Sequence, residues 1–144
     1  PAEAEPFCRE AVAMRRKLLG NDHPYVDSAL DRLASVLGGI GKNDEAIALL
    51  RESLAIREKR GSDDARVFTI RLRLGEHLLE EKEYSEAEPM LLSAHRGMKE
   101  RADKIPAYTK GYLSRTMRAL VRLYEETNQP EKAAEWRQKL GGKP

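Results

Sequence analysis

The chain has 144 residues, enough for one domain with a sizeable core, and 35% of them are charged. Ala, Leu, Glu, Arg and Lys dominate the sequence, a composition typical of helices. The formal net charge of +2 excludes a generic nucleic-acid binder, which would carry a strong basic excess, and no apolar run is long enough to span a bilayer.

The first residues carry no recognisable targeting signal. The chain begins with Pro1 instead of methionine, and neither a basic segment nor an apolar run follows. We therefore expect a fragment of a larger protein that works in the cytoplasm.

A short segment centred on alanine recurs four times along the chain. The alanines are Ala4, Ala46, Ala87 and Ala133, at steps of 42, 41 and 46 residues, which indicates a repeat protein. Ahead of each of the last three alanines lies a stripe of apolar or small residues at helical spacing. The stripe residues are Leu30, Leu33, Ala34 and Leu37, then Leu74, Gly75 and Leu78, then Met117, Leu120, Val121 and Tyr124. Each repeat is therefore predicted as helix A, a tight turn and helix B.

The predicted elements follow in chain order within a single domain. Residues 1–20 form a helix B, and residues 21–61, 62–102 and 103–144 form three repeats of helix A and helix B. The fold class is all-α, an α-α superhelix with seven antiparallel helices. We expect breaks near residues 21–23, 41–43, 61–63, 82–84, 102–105 and 128–129. The extra residues of the last repeat are expected to extend the start of its helix A, at 106–111.

Two stretches predict where helices start. Ser85 and Glu88 have the spacing of a capping box, which would make Ser85 the N-cap and place Pro89 in the first turn. His23 stands directly before Pro24, and a proline at the first helical position blocks continuation from the preceding helix. We therefore predict N-caps at Ser85 and at His23.

A period of about 41 residues is shared by several repeat architectures. WD40 blades need four short strands, and the alternating pattern of strands is missing from the sequence. HEAT and armadillo repeats share both the period and the helices. The small residues Ala34 and Gly75 in helix A, together with the recurring alanines of helix B, favour the tetratricopeptide repeat.

The stretch from Leu18 to Pro24, with the helical patterns that follow it up to Lys59, resembles the longer tetratricopeptide repeat of the kinesin light chain class. The closing stretch from Leu123 to Leu140 is similar to the final repeat of bacterial multidomain proteins in which such arrays follow a serine/threonine kinase domain. The asparagine pair that is usual in helix A of this class is missing. Its places are taken by Asp31 and Arg32, by Leu72 and Arg73, and by Arg118 and Ala119.

No catalytic pattern emerges from the sequence. The glycine-rich run that ends at Lys42 has Val36 and Asn43 where a phosphate-binding loop needs Gly and Ser or Thr. The three histidines, His23, His77 and His95, share no ligand spacing. The lone cysteine, Cys8, can form neither an internal disulfide nor a zinc site by itself, and we expect it to be buried. We therefore predict no catalytic, metal-binding or cofactor-binding residue, and no enzyme activity in this fragment.

In the family that the sequence resembles, helix A lines the concave face, where a partner binds. Helical spacing selects the positions of helix A opposite the packed stripe: Ser28, Asp31, Ser35, Thr69, Leu72, Glu76, Leu79, Arg115, Arg118 and Arg122. The three arginines lie on one helical face, and arginine suits the recognition of carboxylates. The alternative is a solvated face on which Glu125 or Glu126 pairs with Arg122.

Leu72 and Leu79 lie off the apolar stripe, and Phe68 precedes them at the same helical angle. One interpretation is an apolar pocket for a partner side chain. The other is packing against helix A of an adjacent repeat. Tyr124 and Trp136 are expected to close the core under the last helix.

Two classes of function remain open. The first is a protein-interaction scaffold, a docking or regulatory arm of a larger protein, whose groove binds a partner peptide or helix that is acidic and carries one or two apolar anchors. The second is a structural or self-associating array in which the first helix packs on another copy or on preceding repeats. We predict a protein partner, with neither nucleic acid nor membrane, and the arginine row favours the first class.

Overall fold

The computed structural model describes residues 2–61, 65–102, 104 and 106–141, apart from the side chains of 106–109. These residues form a short 3-10 helix, Ala2–Ala4, and seven α-helices, and they contain no strand. The α-helices are α1 (Glu5–Leu19), α2 (Pro24–Gly39), α3 (Asn43–Lys59), α4 (Arg66–Glu80), α5 (Tyr84–Glu100), α6 (Pro106–Glu126) and α7 (Pro130–Leu140). The predicted all-α class with seven helices is confirmed. Helices α2, α4 and α6 are the predicted helices A, and the other four are helices B.

The predicted breaks fall between these helices, except that Asn43 and Tyr84, the last residues of two of them, already begin α3 and α5. Within two of the breaks, residues 62–64, 103 and 105 lie outside the described residues. Helix α6 begins at Pro106 and has 21 residues, which confirms that the extra residues of the last repeat extend its helix A.

The three turns from helix A to helix B share one backbone geometry. Each turn contains a residue with positive φ, which is 85° at Gly41, 61° at Lys82 and 58° at Asn128. The residue after it donates its N–H to the carbonyl five positions earlier, over 2.8 Å in each turn. This pattern is the left-handed cap common at helix C-termini. The three turns are spaced like the recurring alanines, so the repeat seen in the sequence is also a repeat of the backbone.

Small residues let helix A and helix B approach closely. Ala46, Ala87 and Ala133 have no accessible surface. A Cβ built on Gly75 in α4 would lie 2.7 Å from Cδ2 of Leu91 in α5 and 3.6 Å from the carbonyl oxygen of Ala87. A larger residue at these positions would overpack the contact between the two helices.

The chain divides into two compact units, 1–70 and 71–144. In the first unit, α2 packs against α1 and α3, and Cys8 is buried, as expected. In the second unit, α6 packs against α5 and α7. Tyr124 and Trp136 are buried there, and the Tyr124 hydroxyl donates to a carboxylate oxygen of Glu88 over 2.6 Å.

The predicted N-cap at His23 is confirmed. Its Nδ1 accepts a hydrogen bond of 3.1 Å from the backbone N–H of Tyr25, and Pro24 is the first residue of α2.

The predicted N-cap at Ser85 is wrong, because α5 begins earlier, at Tyr84. The left-handed turn at Lys82 already reverses the chain, and the backbone N–H of Ala87 bonds to the carbonyl of Glu83 over 3.0 Å. Pro89 therefore lies inside α5 and not in its first turn. At this interior position the proline removes one helical hydrogen bond.

A buried cluster of charges joins α2 to α3 in the first unit. Asp27 has no accessible surface, and its Oδ1 accepts a hydrogen bond of 2.5 Å from Nη2 of Arg57, which is also buried. The second carboxylate oxygen pairs with Arg60, just after α3. The hydroxyl of Ser53 donates to the backbone carbonyl of Asp27 over 3.5 Å. Charged side chains are rarely buried without partners, and a shift of α3 along α2 would separate these. The contacts therefore hold the two helices in one register.

Candidate protein-interaction surface

A ladder of ion pairs connects α4 and α6 in the second unit. Nε and Nη2 of Arg115 donate to the two carboxylate oxygens of Glu76 over 2.7 and 2.5 Å. Nη1 of Arg122 donates to Glu80 over 2.7 Å, and its Nε donates to Glu126 over 2.6 Å. The two outer arginines of the predicted row are therefore neutralised by carboxylates, and the predicted pairing of Arg122 with Glu126 is confirmed.

The hydrogen bonds of the ladder also shift the pKa values of two of its side chains. The hydrogen bonds that Arg122 donates to Glu80 and Glu126 raise the pKa of Arg122 above its ordinary value. The pKa of Glu126 is lowered, first by Arg122 and then by Tyr84, whose hydroxyl donates to Glu126 over 2.7 Å. These groups stay ionised at neutral pH, so the ladder is present under ordinary conditions.

Arg118, the middle arginine of the row, is different. Its side chain is exposed, and within the part of the chain that the structure describes it makes no ion pair and no hydrogen bond. It lies on the same helical face as Arg115 and Arg122, between two guanidinium groups whose charge is already compensated. We call Glu76, Glu80, Arg115, Arg118 and Arg122 together the helix A surface.

Four other predicted contacts are polar residues of the first unit. Ser35 is exposed, whereas Ser28, Asp31 and Thr69 are half-buried. The hydroxyl of Ser28 donates to the carbonyl of Pro24 over 3.3 Å, and that of Thr69 donates to the carbonyl of Arg66 over 2.9 Å. Both hydroxyl protons are thus used within their own helices, as is common for serine and threonine.

The predicted apolar contacts lie in the core. Leu72 is 0% exposed, Leu79 is 1% exposed and Phe68 is 8% exposed. A side chain without accessible surface offers nothing for a partner to contact, so the structure favours packing over an apolar pocket at these positions. We therefore leave Leu72 and Leu79 out of the helix A surface.

Two groups of exposed residues lie on helices B. Phe7, Met14 and Leu18 of α1 are 74%, 55% and 73% exposed. Arg96 and Lys99 of α5 and Lys139 of α7 line an open groove, and none of the three is among the contacts predicted from sequence. The spacing of Arg96 and Lys99 is the only signal of that groove in the sequence, and it is shared by many solvated helix faces.

In residues 2–61, 65–102, 104 and 106–141, no three His, Cys, Asp or Glu side chains are grouped so that they could hold a metal ion. The described helices include none with the length and apolar character needed to cross a membrane.

Two histidines are neutral at pH 7. Burial lowers the pKa of His77, and it lowers the pKa of His95 to about 4.

The family model for the tetratricopeptide repeat matches residues 1–59 and 25–100. Among solved structures, BtubC (BKLC) from P. vanneervenii has a TM-score of 0.83 and 19% identity, over 97% of this chain and 55% of its own. A kinesin light chain-type protein with nearly identical TPR-like repeats, from Podosopora anserina, has a TM-score of 0.75 and 20% identity, over 98% of this chain and 65% of its own. A point variant of that protein has a TM-score of 0.76.

This chain therefore spans less than two thirds of the length of those structures. At these identities the likeness shows the fold alone, which is that of tetratricopeptide superhelices. A search among curated proteins finds no match.

Proposed function

Because this chain belongs to the tetratricopeptide repeat family, we propose that it is a protein-interaction scaffold that binds a partner peptide or helix on its helix A surface. Tetratricopeptide folds mediate protein–protein interaction without catalysis. In our proposal the chain is a docking or regulatory arm of a larger cytoplasmic protein, with the repeat boundaries predicted from its sequence.

The observation that carries this proposal is the exposed, uncompensated charge of Arg118. A guanidinium offers two parallel N–H donors that match the oxygens of a carboxylate. Arg115 and Arg122 already use theirs on Glu76, Glu80 and Glu126. These pairs fix the side chains on either side of Arg118. A carboxylate of an acidic partner would therefore meet one available arginine in a preorganised frame, instead of three that repel one another.

We expect the Arg118→Glu variant to bind an acidic peptide about tenfold more weakly than the wild type, because one attraction is lost and one repulsion is added. Arg118 is replaced alone, since a change at Arg115 or Arg122 would also break the ladder. The measurement is a titration of the ¹⁵N-labelled chain with a peptide rich in Glu and Leu, followed at the backbone amides of α4 and α6.

Lys104→Glu is the matched control, because it changes the net charge by the same amount as Arg118→Glu. Lys104 is exposed and lies outside the helix A surface. It should leave the affinity read at α4 and α6 unchanged. Equal affinity of the Arg118→Glu and wild-type chains, or the absence of any shift at α4 and α6, would contradict the proposal.

A second candidate function, a self-associating array, is favoured by the exposed apolar face of α1. Phe7, Ala11, Met14 and Leu18 are spaced four, three and four residues apart, the spacing of a coiled-coil seam. The helix packs on the protein through a different face, which carries the buried residues Cys8 and Val12. Three large apolar side chains on one helical face form a patch that a second copy would cover.

The charges beside this seam fit an antiparallel pair of copies. Glu10 and Lys17 flank the same side of the seam, and neither has an ion-pair partner within the described residues. In an antiparallel dimer Phe7 would face Leu18 of the other copy, and Glu10 would face its Lys17. A twofold axis repeats the attraction, so two opposite-charge contacts form in each dimer.

Sedimentation equilibrium tests this second candidate. The wild type should form a dimer that dissociates on dilution, and Glu10→Lys should weaken it by setting two lysines against each other. The double variant Glu10→Lys/Lys17→Glu should restore the dimer, because the opposite charges are only exchanged. A wild type that is monomeric at every concentration, or a double variant no better than the single one, would exclude the dimer.

A further inference from the structure

A groove of about 470 Å³ lies open between α5 and α7 in the second unit. One helical face of α5 contributes Leu92, His95, Arg96 and Lys99, and α7 contributes Trp136 and Lys139. All of these residues belong to helices B, so the groove is distinct from the helix A surface.

The floor of the groove is apolar. Trp136 is 8% exposed, and its ring meets the ring of His95 edge to face, with the centroids 4.7 Å apart. Nζ of Lys139 lies 4.1 Å from the centroid of the Trp136 ring, a cation–π contact. Leu92 adds a half-buried aliphatic side chain to the lining. The tryptophan therefore also holds one ammonium group at the groove.

The rim of the groove carries an excess of positive charge. Arg96, Lys99 and Lys139 are exposed, and none of them forms an ion pair within the residues that the structure describes. Glu100 is the carboxylate in the lining. The positive field is felt by His95, whose pKa is lowered to about 4 by burial first and then by Lys139 and Lys99. Three uncompensated cations against one carboxylate make this a stronger anion-binding surface than the charge-balanced ladder on α4 and α6.

We propose that this groove is a second docking site, which takes an acidic peptide segment with an apolar side chain. Its carboxylates would pair with Arg96, Lys99 and Lys139, and its apolar side chain would rest on Leu92 and the edge of Trp136. The volume suits a few side chains, and the apolar floor suits a peptide. A nucleic acid would call for a basic excess over the whole domain, and this chain has a net charge of only +2.

Trp136 is the single tryptophan of the chain, so its fluorescence reports on this groove alone. A tryptophan-free peptide that alternates Glu with Leu should change the emission of Trp136 saturably, and a peptide with Gln in place of Glu should not. Lys99→Glu should weaken the fluorescence-detected binding by about tenfold, since an attraction becomes a repulsion. Lys104→Glu, with the same change of net charge, should bind like the wild type.

The imidazole of His95 provides an independent readout by NMR. A bound peptide changes both causes of the low pKa of His95, because its carboxylates offset the charges of Lys99 and Lys139 while its side chains bury the ring further. The pKa of His95 should therefore shift when the acidic peptide is added. Lys99→Glu should raise the pKa of His95 even in the free protein, because one of the cations beside the imidazole is removed. The circular dichroism spectrum checks separately that the variant is folded.

Arg118→Glu separates this site from the helix A surface. It should leave the Trp136 signal unchanged, while Lys99→Glu should leave the shifts at α4 and α6 unchanged, so either site can fail without the other. The second site is overturned if the Gln peptide binds as well as the Glu peptide, if the pKa of His95 does not change, or if an oligonucleotide displaces the peptide.

Discussion

Replacing Asp27 by alanine is expected to lower the free energy of unfolding by about 3 to 5 kcal/mol, the range for breaking one side of a buried ion pair. Asp27 has no accessible surface, and its two carboxylate oxygens hold Arg57 and Arg60. Without the carboxylate, the buried guanidinium of Arg57 would lose this ion pair, and little water reaches the site to replace it. Urea unfolding followed by circular dichroism measures the change.

Asp22→Ala is the matched control for this prediction. Asp22 pairs with Lys59 over 2.9 Å, but both side chains are about two thirds exposed. Such a pair contributes at most about 1 kcal/mol, so the control should be nearly neutral. Adding Arg57→Met to Asp27→Ala should recover part of the loss, because the buried charge is then removed together with its partner. Equal effects of Asp27→Ala and Asp22→Ala would show that Asp27 is not buried.

Leu72→Ala is expected to cost about 2 to 5 kcal/mol of stability, the range for deleting a buried leucine side chain. Leu72 has no accessible surface, so truncation leaves a cavity in the core. Thermal or urea unfolding of dilute protein measures the effect. Leu18→Ala is the control, since Leu18 is 73% exposed and its truncation should change stability by at most about 0.5 kcal/mol.

The same experiment decides between the two interpretations of Leu72. A residue of an apolar binding pocket would tolerate truncation and would lower the affinity for a partner instead. A Leu72→Ala chain with wild-type stability and weakened peptide binding would therefore return Leu72 to the interaction surface.

The architecture can be predicted from the sequence because each repeat carries the same local signals. The alanine spacing, the turn residues and Pro24 each act over a few neighbouring positions, and they locate the seven helices. The start of α5 is the exception. It depends on the left-handed conformation of Lys82, a residue type that does not favour positive φ. Ser85 looks like a cap only when that turn is unknown.

The candidate site is less predictable, because its chemistry depends on pairs that are far apart in sequence. The carboxylate that neutralises Arg115 is Glu76, 39 positions earlier, and nothing near Arg115 points to it. Helical periodicity likewise places Leu72 opposite the packed stripe. It does not show whether another part of the chain buries the Leu72 side chain. Among the three arginines of one face, only the tertiary structure distinguishes Arg118 as the member without a carboxylate.

The central claim is that Arg118 makes the helix A surface selective for an acidic partner. A peptide-library selection tests it most directly, on chains that carry Lys99→Glu so that the groove between α5 and α7 does not contribute. With Arg118 present, the selected peptides should be enriched in Asp and Glu. With Arg118→Glu added, that enrichment should disappear or reverse. Selection of the same sequences by both chains would contradict the claim.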